Sequence, residues 1–344
     1  MEAFPYSDDP SPPSSAIEPV WKTGRKRGRS RLRKTLSRHF GYFWFRLGYS
    51  VISHLPWIVG RGLSAFLGTL AFHALKRERD VALQSLSRVY GNEKSPKEIR
   101  ALVSRVFRHS ASIIIDWVIL RRWSDEKLEA RFPEAVASIR GAARDFQGMN
   151  GAGVVAVSGH LGNWEILSML FSRFAPGILT SVAKRLYFNK YNDLIHRLRT
   201  EFGLEIIYSE ESARKMIRAL KSGKALSLLC DQDLRTNSGV FVDFFGLPAY
   251  TVTFPVDLAR LTRVRMAFCA LVREGNSFRI VYRAPYEIST TENAQADVLA
   301  ATQKWTKILE EEIRKCPEQW SWIHPRWRST PERPRLQRRK DRED

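Results

Sequence analysis

From residue 150 to residue 283 the chain alternates short apolar runs with stretches of helical periodicity. Gly153 to Val157 is a continuous apolar run of strand length, and Ile178 to Ala183, Leu204 to Tyr208 and Ala225 to Cys230, each mostly apolar, also read as strands. Between them, Ile166, Leu167, Met169 and Leu170 mark one helix, Tyr191 to Phe202 a second and Ser212 to Lys221 a third. Strands that alternate with helices in this way predict an α/β fold, a largely parallel or mixed sheet flanked by helices. Val264 to Val272 and Phe278 to Arg283 read as a closing antiparallel pair, and Ala294 to about Arg314 as a last helix. Upstream, residues 79–122 read as helical. Ser95-Pro96-Lys97-Glu98 is a capping-box signature with proline at the first helical position, opening a helix that runs to about Ile119. Its Ile113, Ile114, Ile115, Val118 and Ile119 are expected to pack in the core.

Residues 40–75 break the pattern. They are rich in aromatic and aliphatic residues, among them Phe43, Trp44, Phe45, Trp57, Phe66 and Phe72, but Arg46 and Arg61 interrupt them. The uncharged stretches Leu47 to Gly60 and Gly62 to Leu75 hold 14 residues each, short of the roughly 20 a spanning helix needs. Pro56 breaks the segment again, and Lys76, Arg77 and Arg79 add positive charge after it. A monotopic hairpin or two interfacial helices, with basic flanks on anionic headgroups, fits better than a single span. A pair of buried core helices is the other reading.

Composition narrows the class. The 344 residues carry a formal charge of +20, which implies an anionic partner: nucleic acid, acidic protein, phosphorylated substrate or anionic lipid. Three cysteines, Cys230, Cys269 and Cys316, are odd in number and far apart, so no disulfide framework is implied. The N-terminus is acidic and proline-rich, unlike a cleavable signal peptide. Residues 1–38 are expected to form a disordered tail that turns basic, with Lys22, Arg25, Lys26, Arg27, Arg29, Arg31, Arg33, Lys34 and Arg38. That run is either solvated or a phosphate-binding arm. The remaining divisions are a membrane-associated helical segment at 39–76, a catalytic domain at 77–330 and a charged tail at 331–344. A nucleic-acid binder should interleave aromatic and basic residues on a recognisable module; here the aromatics gather elsewhere, so no nucleic-acid partner is expected.

Candidate chemistry centres on His160-Leu161-Gly162-Asn163-Trp164-Glu165. His160 falls where the first strand ends, Gly162 permits a tight turn, and Asn163 is placed to cap the next helix. Glu165 lies in the first turn of that helix, where the dipole favours a carboxylate. Five positions apart on one helix would separate the two side chains by about 140°; the turn is what lets them meet as a base and its orienting carboxylate. In sheets of this type ligands bind outside the carboxyl ends of strands. A second such end carries Asp231-Gln232-Asp233, where Asp231 is either a loop hydrogen-bonder or part of the site. Lys184 and Arg185 end another strand. Arg199 shares a helix with Lys190, His196 and Arg197 and is either solvated or a phosphate or oxyanion ligand. Phe244 and Phe245 are either core or the lining of a hydrocarbon track. Trp320, Trp322, His324, Arg326 and Trp327 are expected to pack the tail over the domain. Ser158 lacks the G-x-S-x-G elbow of a nucleophile, and neither an HExxH motif nor clustered cysteines call for a metal.

The segment His160 to Glu165 resembles the HX4E motif of the lauroyl and myristoyl acyltransferases of lipid A biosynthesis, within the lysophospholipid acyltransferase superfamily. Leu198 to Gly203, Asp231-Gln232-Asp233, Val242 to Gly246 and Pro317 to His324 stand in that family's order and spacing, so the resemblance covers roughly residues 40–330. It implies a glycerolipid-acyltransferase-like fold. His160 and Glu165 would be catalytic, Arg199, Lys184, Arg185, Asp231 and Gln232 substrate-binding, and Phe244 and Phe245 near the acyl chain. The donor would be an acyl-acyl-carrier-protein or acyl-coenzyme A, and the acceptor a hydroxyl of a phosphorylated glycolipid in the membrane. The place would be the cytoplasmic face of the inner membrane, on an anionic surface, with no cofactor. Related enzymes acylate phosphatidylinositol mannosides, and a membrane-associated hydrolase could turn the same dyad on water.

Overall fold

The computed structural model describes residues 41–149, 151–186, 188–234 and 238–332. The expected tails over residues 1–38 and, apart from 331 and 332, over 331–344 lie outside the described residues. The chain divides into two units, residues 1–47 and 48–344. Residues 41–53 are helical (α1), and α2 (Trp57–Ala74) follows after a break that ends at Pro56.

Helix α2 is small on its inner face and large on its outer one. It packs against α4 (Pro96–Leu120) through Trp57, Gly60, Ser64, Gly68 and Phe72. A Cβ at Gly68 would lie 2.4 Å from the Arg108 Cα, and one at Gly60 2.2 Å from the Ile119 Cδ1, so glycine is what lets the helices approach this closely. Trp57 donates from Nε1 to the buried Asp116 at 2.7 Å, and Arg273 donates to the other oxygen of that carboxylate. The opposite face exposes Ile58, Val59, Phe66, Leu67 and Leu70, with Ile58 71% exposed. α2 is therefore not a buried core helix. Among the described residues no single helix is long and apolar enough to cross a membrane, and α2 meets α3 (Lys76–Tyr90) at a bend of 92°.

Helix α4 opens with the expected capping box: Ser95 and Glu98 bond each other's backbone amides. Its apolar cluster is buried as expected except Ile114, which is 47% exposed. Helices α5 (Asp125–Arg131) and α6 (Pro133–Gln147) lead into the sheet.

The sheet contains β1 (Val154–Ser158), β2 (Leu179–Ala183), β3 (Glu205–Tyr208), β4 (Ala225–Leu229), β7 (Arg265–Glu274) and β8 (Ser277–Tyr286) in the order β3-β2-β4-β1-β7-β8. All neighbours are parallel except β7 and β8. Central strands covered on both faces are mostly apolar, which is why β1 is valine and alanine up to its last residue, Ser158, with every residue buried. The intervening helices are α7 (Trp164–Phe174), α8 (Asn189–Thr200), α9 (Ala213–Lys221), α10 (Phe254–Thr262) and α11 (Ala294–Lys315). On one face of β1, Ala156 and Ser158 meet α6 and α7; on the other, Val155 and Val157 join the core shared with α9, α10 and α11. The expected mixed α/β fold with a mostly parallel sheet is what forms.

A separate hairpin, β5 (Gly239–Phe244) and β6 (Leu247–Val252), sits where no strand was expected. Its two turn residues, Phe245 and Gly246, both have positive φ, 61° and 74°, as a tight hairpin turn demands. Phenylalanine is unusual there. Its amide donates to Glu310 at 2.8 Å, and its ring packs edge-on to Tyr90. Phe244 is completely buried among Trp320 and Trp327. The two rings form the core and corner of the hairpin, in keeping with the core reading of the pair.

Candidate active site

His160 follows the carboxyl end of β1, and Asp231 follows that of β4, the next strand in the sheet. The adjacency brings them together across 71 residues of sequence. His160 Nδ1 lies 2.7 Å from Asp231 Oδ1, and the His160 backbone amide donates to Oδ2 at the same distance. With Nδ1–H committed to the carboxylate, Nε2 keeps its lone pair free. Burial would lower the proton affinity of His160, but the Asp231 charge and hydrogen bond outweigh it, with a smaller push from Glu165, and hold it above the ordinary imidazole value. Asp231 is itself buried; that penalty is overcome by His160 and by the Trp320 indole N–H, and its carboxyl is held down at about 2.

Glu165 is not the partner of His160. Its two oxygens take Arg199 in a fork, Nε at 3.0 Å and Nη2 on the other oxygen. The carboxylate that meets the His160 ring is that of Asp231. Burial disfavours the Arg199 charge, but Glu165 outweighs this and raises its proton affinity. The reason lies in the turn. Gly162 has φ 66°, and a Cβ there would sit 1.8 Å from the Leu271 carbonyl oxygen, so glycine is required. Asn163 caps α7 as expected, accepting from the Ile166 amide at 3.1 Å, while its Nδ2 donates to the Ile113 carbonyl. Past this turn Glu165 points to α8 rather than back to the ring.

Gln232 reaches the ring, with its amide nitrogen 3.4 Å from both imidazole nitrogens, which places it over the ring face rather than on a lone pair. Trp164 lies edge-on at 4.8 Å between ring centroids, and His324 at 6.1 Å. His324 is lowered by burial and then by the His160 charge. Lys184 and Arg185 follow β2, two strands from β1 and so roughly 10 Å along the same rim. Arg185 stacks 3.9 Å over Tyr208 and pairs with Glu211; Lys184 is exposed. Ser158 is buried and lies with Phe146 and Leu167 on the face covered by α6 and α7. A cavity of about 800 Å³ opens at the other end of β1, beside Gly153, Arg263 and Arg265, away from this chemistry. Among the described residues no three His, Cys, Asp or Glu side chains group as metal ligands would.

Two contributors escaped the sequence reading. His109 on α4 meets the Gly162 carbonyl at 3.1 Å, and burial lowers it to about 4, so it is a neutral donor holding the turn. Trp320 donates to Asp231 Oδ2 at 2.7 Å. The signal available for Asp231 was its place at a strand's carboxyl end, like His160; for Trp320 there was none beyond its ring.

Residues 31–329 match the family described as bacterial lipid A biosynthesis acyltransferase. The chain belongs to that family. As a member of this acyltransferase family it is similar to the lipid A biosynthesis palmitoleoyltransferase of Escherichia coli (strain K12), 24% identical over 87% of this chain and 95% of that one. The lauroyltransferase of the same organism is 26% identical over 84% of this chain and 92% of its own length. A phosphatidylinositol mannoside acyltransferase of Mycobacterium tuberculosis (strain CDC 1551 / Oshkosh) is 29% identical over 52% of this chain and 55% of that protein. This acyltransferase is thus similar to the two Escherichia coli relatives over 87% and 84% of its length, and to the mycobacterial one over about half.

Proposed function

We propose that this acyltransferase moves a fatty acyl group from a thioester to a hydroxyl of a phosphorylated glycolipid, as a late acylation of a lipid A precursor. The observation that carries this reading is the His160–Asp231 pair at the carboxyl rim of the sheet, with basic side chains along the same rim. Nε2 removes the hydroxyl proton as the oxygen attacks the thioester carbonyl. The carbon–sulfur bond then breaks, and the imidazolium returns its proton to the departing thiolate. Asp231 holds the ring and balances its charge. Arg199, pinned by Glu165, and the Lys184–Arg185 pair are placed for phosphate groups of the acceptor, which suits guanidinium and ammonium alike. No covalent acyl-enzyme is needed.

The donor in this reading is an acyl-acyl-carrier-protein, whose acidic surface complements a chain of net charge +20; acyl-coenzyme A is the other thioester with the same reactive group. The catalytic domain spans 77–330, and residues 39–76 attach it to the membrane. Support for the attachment is the outward face of α2, with Phe66 65% and Leu70 56% exposed, beside the cationic start of α3. Such a face suits an interfacial helix. The site then faces the cytoplasmic side of the inner membrane.

Mass spectrometry of lipid A from a deletion strain tests the acceptor. Loss of one acyl chain is the expected result; an unchanged lipid A profile would exclude lipid A and leave other phosphate-bearing glycolipids, including inositol mannosides, as acceptors. The base role has its own readout. His160 must be neutral to act, and Asp231 raises its proton affinity, so kcat/KM should climb with pH through a single acid limb above the ordinary imidazole value of 6.5. A limb below that value would separate activity from this histidine.

A further inference from the structure

We infer that Trp320 is a positioning residue for the reaction: its indole N–H locks the Asp231 carboxylate so that one oxygen alone is left to face the imidazole. This rests on the His160–Asp231 reading above. Asp231 is 2% exposed, so a carboxylate lone pair without a donor would be costly there. Oδ1 takes His160 Nδ1; Oδ2 takes the His160 backbone amide and Trp320 Nε1, both at 2.7 Å. Among the described residues Trp320 is the one side chain besides His160 that donates to Asp231.

The indole is held by the same segment that holds the base. The stretch Gln319-Trp320-Ser321 runs across the site turn: the Gly162 amide donates to the Gln319 carbonyl at 2.9 Å, and the Ser321 amide to the His160 carbonyl at 3.1 Å. Gln319 fastens this segment to β7, accepting from the Arg273 amide and donating to its carbonyl, each at 2.8 Å. Farther on, Ser329 bonds both oxygens of Asp233, and Arg326 donates to the Tyr250 carbonyl. Base, carboxylate and indole thus form one closed ring of contacts, and a shift of the C-terminal segment would turn Asp231 away from His160. The other ionisable groups facing the pair are Glu165 on α7, held by Arg199, then Cys230 before Asp231, Asp233 after it, and His324 and Arg326 on the C-terminal segment.

Trp320→Phe removes the N–H and keeps an aromatic ring against Trp322 and Phe244. In the full-length protein, assayed with an acyl-acyl-carrier-protein and an under-acylated lipid A precursor, kcat/KM should fall about tenfold to a hundredfold. The loss should lie in kcat, with KM little changed. The acid limb should also move to higher pH, because a carboxylate with one donor fewer draws the His160 proton more strongly. If the phenylalanine variant does not fold, 3-benzothienylalanine at position 320 replaces N–H with sulfur in an isosteric ring and serves the same test. Unchanged kcat/KM, or a loss with the limb unmoved, would overturn the inference, since packing alone does not shift a titration. Asp231→Asn is the control: full activity in that variant removes the base–carboxylate reading itself, whereas loss there with no effect at Trp320 removes only the role of the indole.

Discussion

His160→Ala is expected to lower acyl transfer by about 10²- to 10⁴-fold, the range that general-base catalysis supplies. The imidazole is half-buried at the rim, edge-on to Trp164, and carries no part of the core. Its removal should leave the fold intact but somewhat less stable, since Asp231 Oδ1 loses its donor, and should leave the proposed membrane association unchanged. Purified variant and wild type, compared for thermal unfolding, vesicle binding and turnover, give three separate readings. Near-wild-type turnover in a folded variant would show that another group takes the hydroxyl proton. Of the other histidines near the site, His109 is committed to the Gly162 carbonyl, and among the described residues no carboxylate bonds the His324 ring to fix it.

Asp231→Asn should cost nearly as much, about 10²- to 10⁴-fold in kcat, by inverting the tautomer. The asparagine amide would donate to Nδ1, forcing the proton onto Nε2, where the lone pair is needed. Glu165→Gln acts elsewhere. It breaks the fork to Arg199, so its effect should fall mainly on KM for the phosphorylated acceptor, with a smaller change in kcat. Steady-state kinetics on the two variants decide between them. A larger kcat loss at Glu165 than at Asp231 would return the orienting role to the carboxylate five residues from the histidine. Acid also reaches the pair. Because the Asp231 carboxyl is held at about 2 from an ordinary 3.8, its stabilising contribution is present above that ordinary value and is lost as pH falls toward 2.

Local pattern carried the sheet. Runs such as Val154 to Val157 have one stable use in a chain of this length, a strand covered on both faces, and the capping box at Ser95 starts α4 where it was expected. The turn at Gly162 and the cap at Asn163 were equally readable, since each depends on a few neighbouring residues. The hairpin was not. Its corner puts Phe245 in the left-handed region, against local preference, and is upheld by Glu310 from 65 residues away. Phe244 and Phe245 read equally as core or as the lining of a track, because composition cannot tell a buried ring from one lining a cavity. The same limit explains the exchanged carboxylates. Glu165 was near His160 in sequence, but Asp231 is near it in the sheet, because β4 lies beside β1. Periodicity and turn chemistry act over a few residues, so they set where strands end and which residues stand there. Which of those ends become neighbours depends on strand order, and strand order is settled by long-range packing.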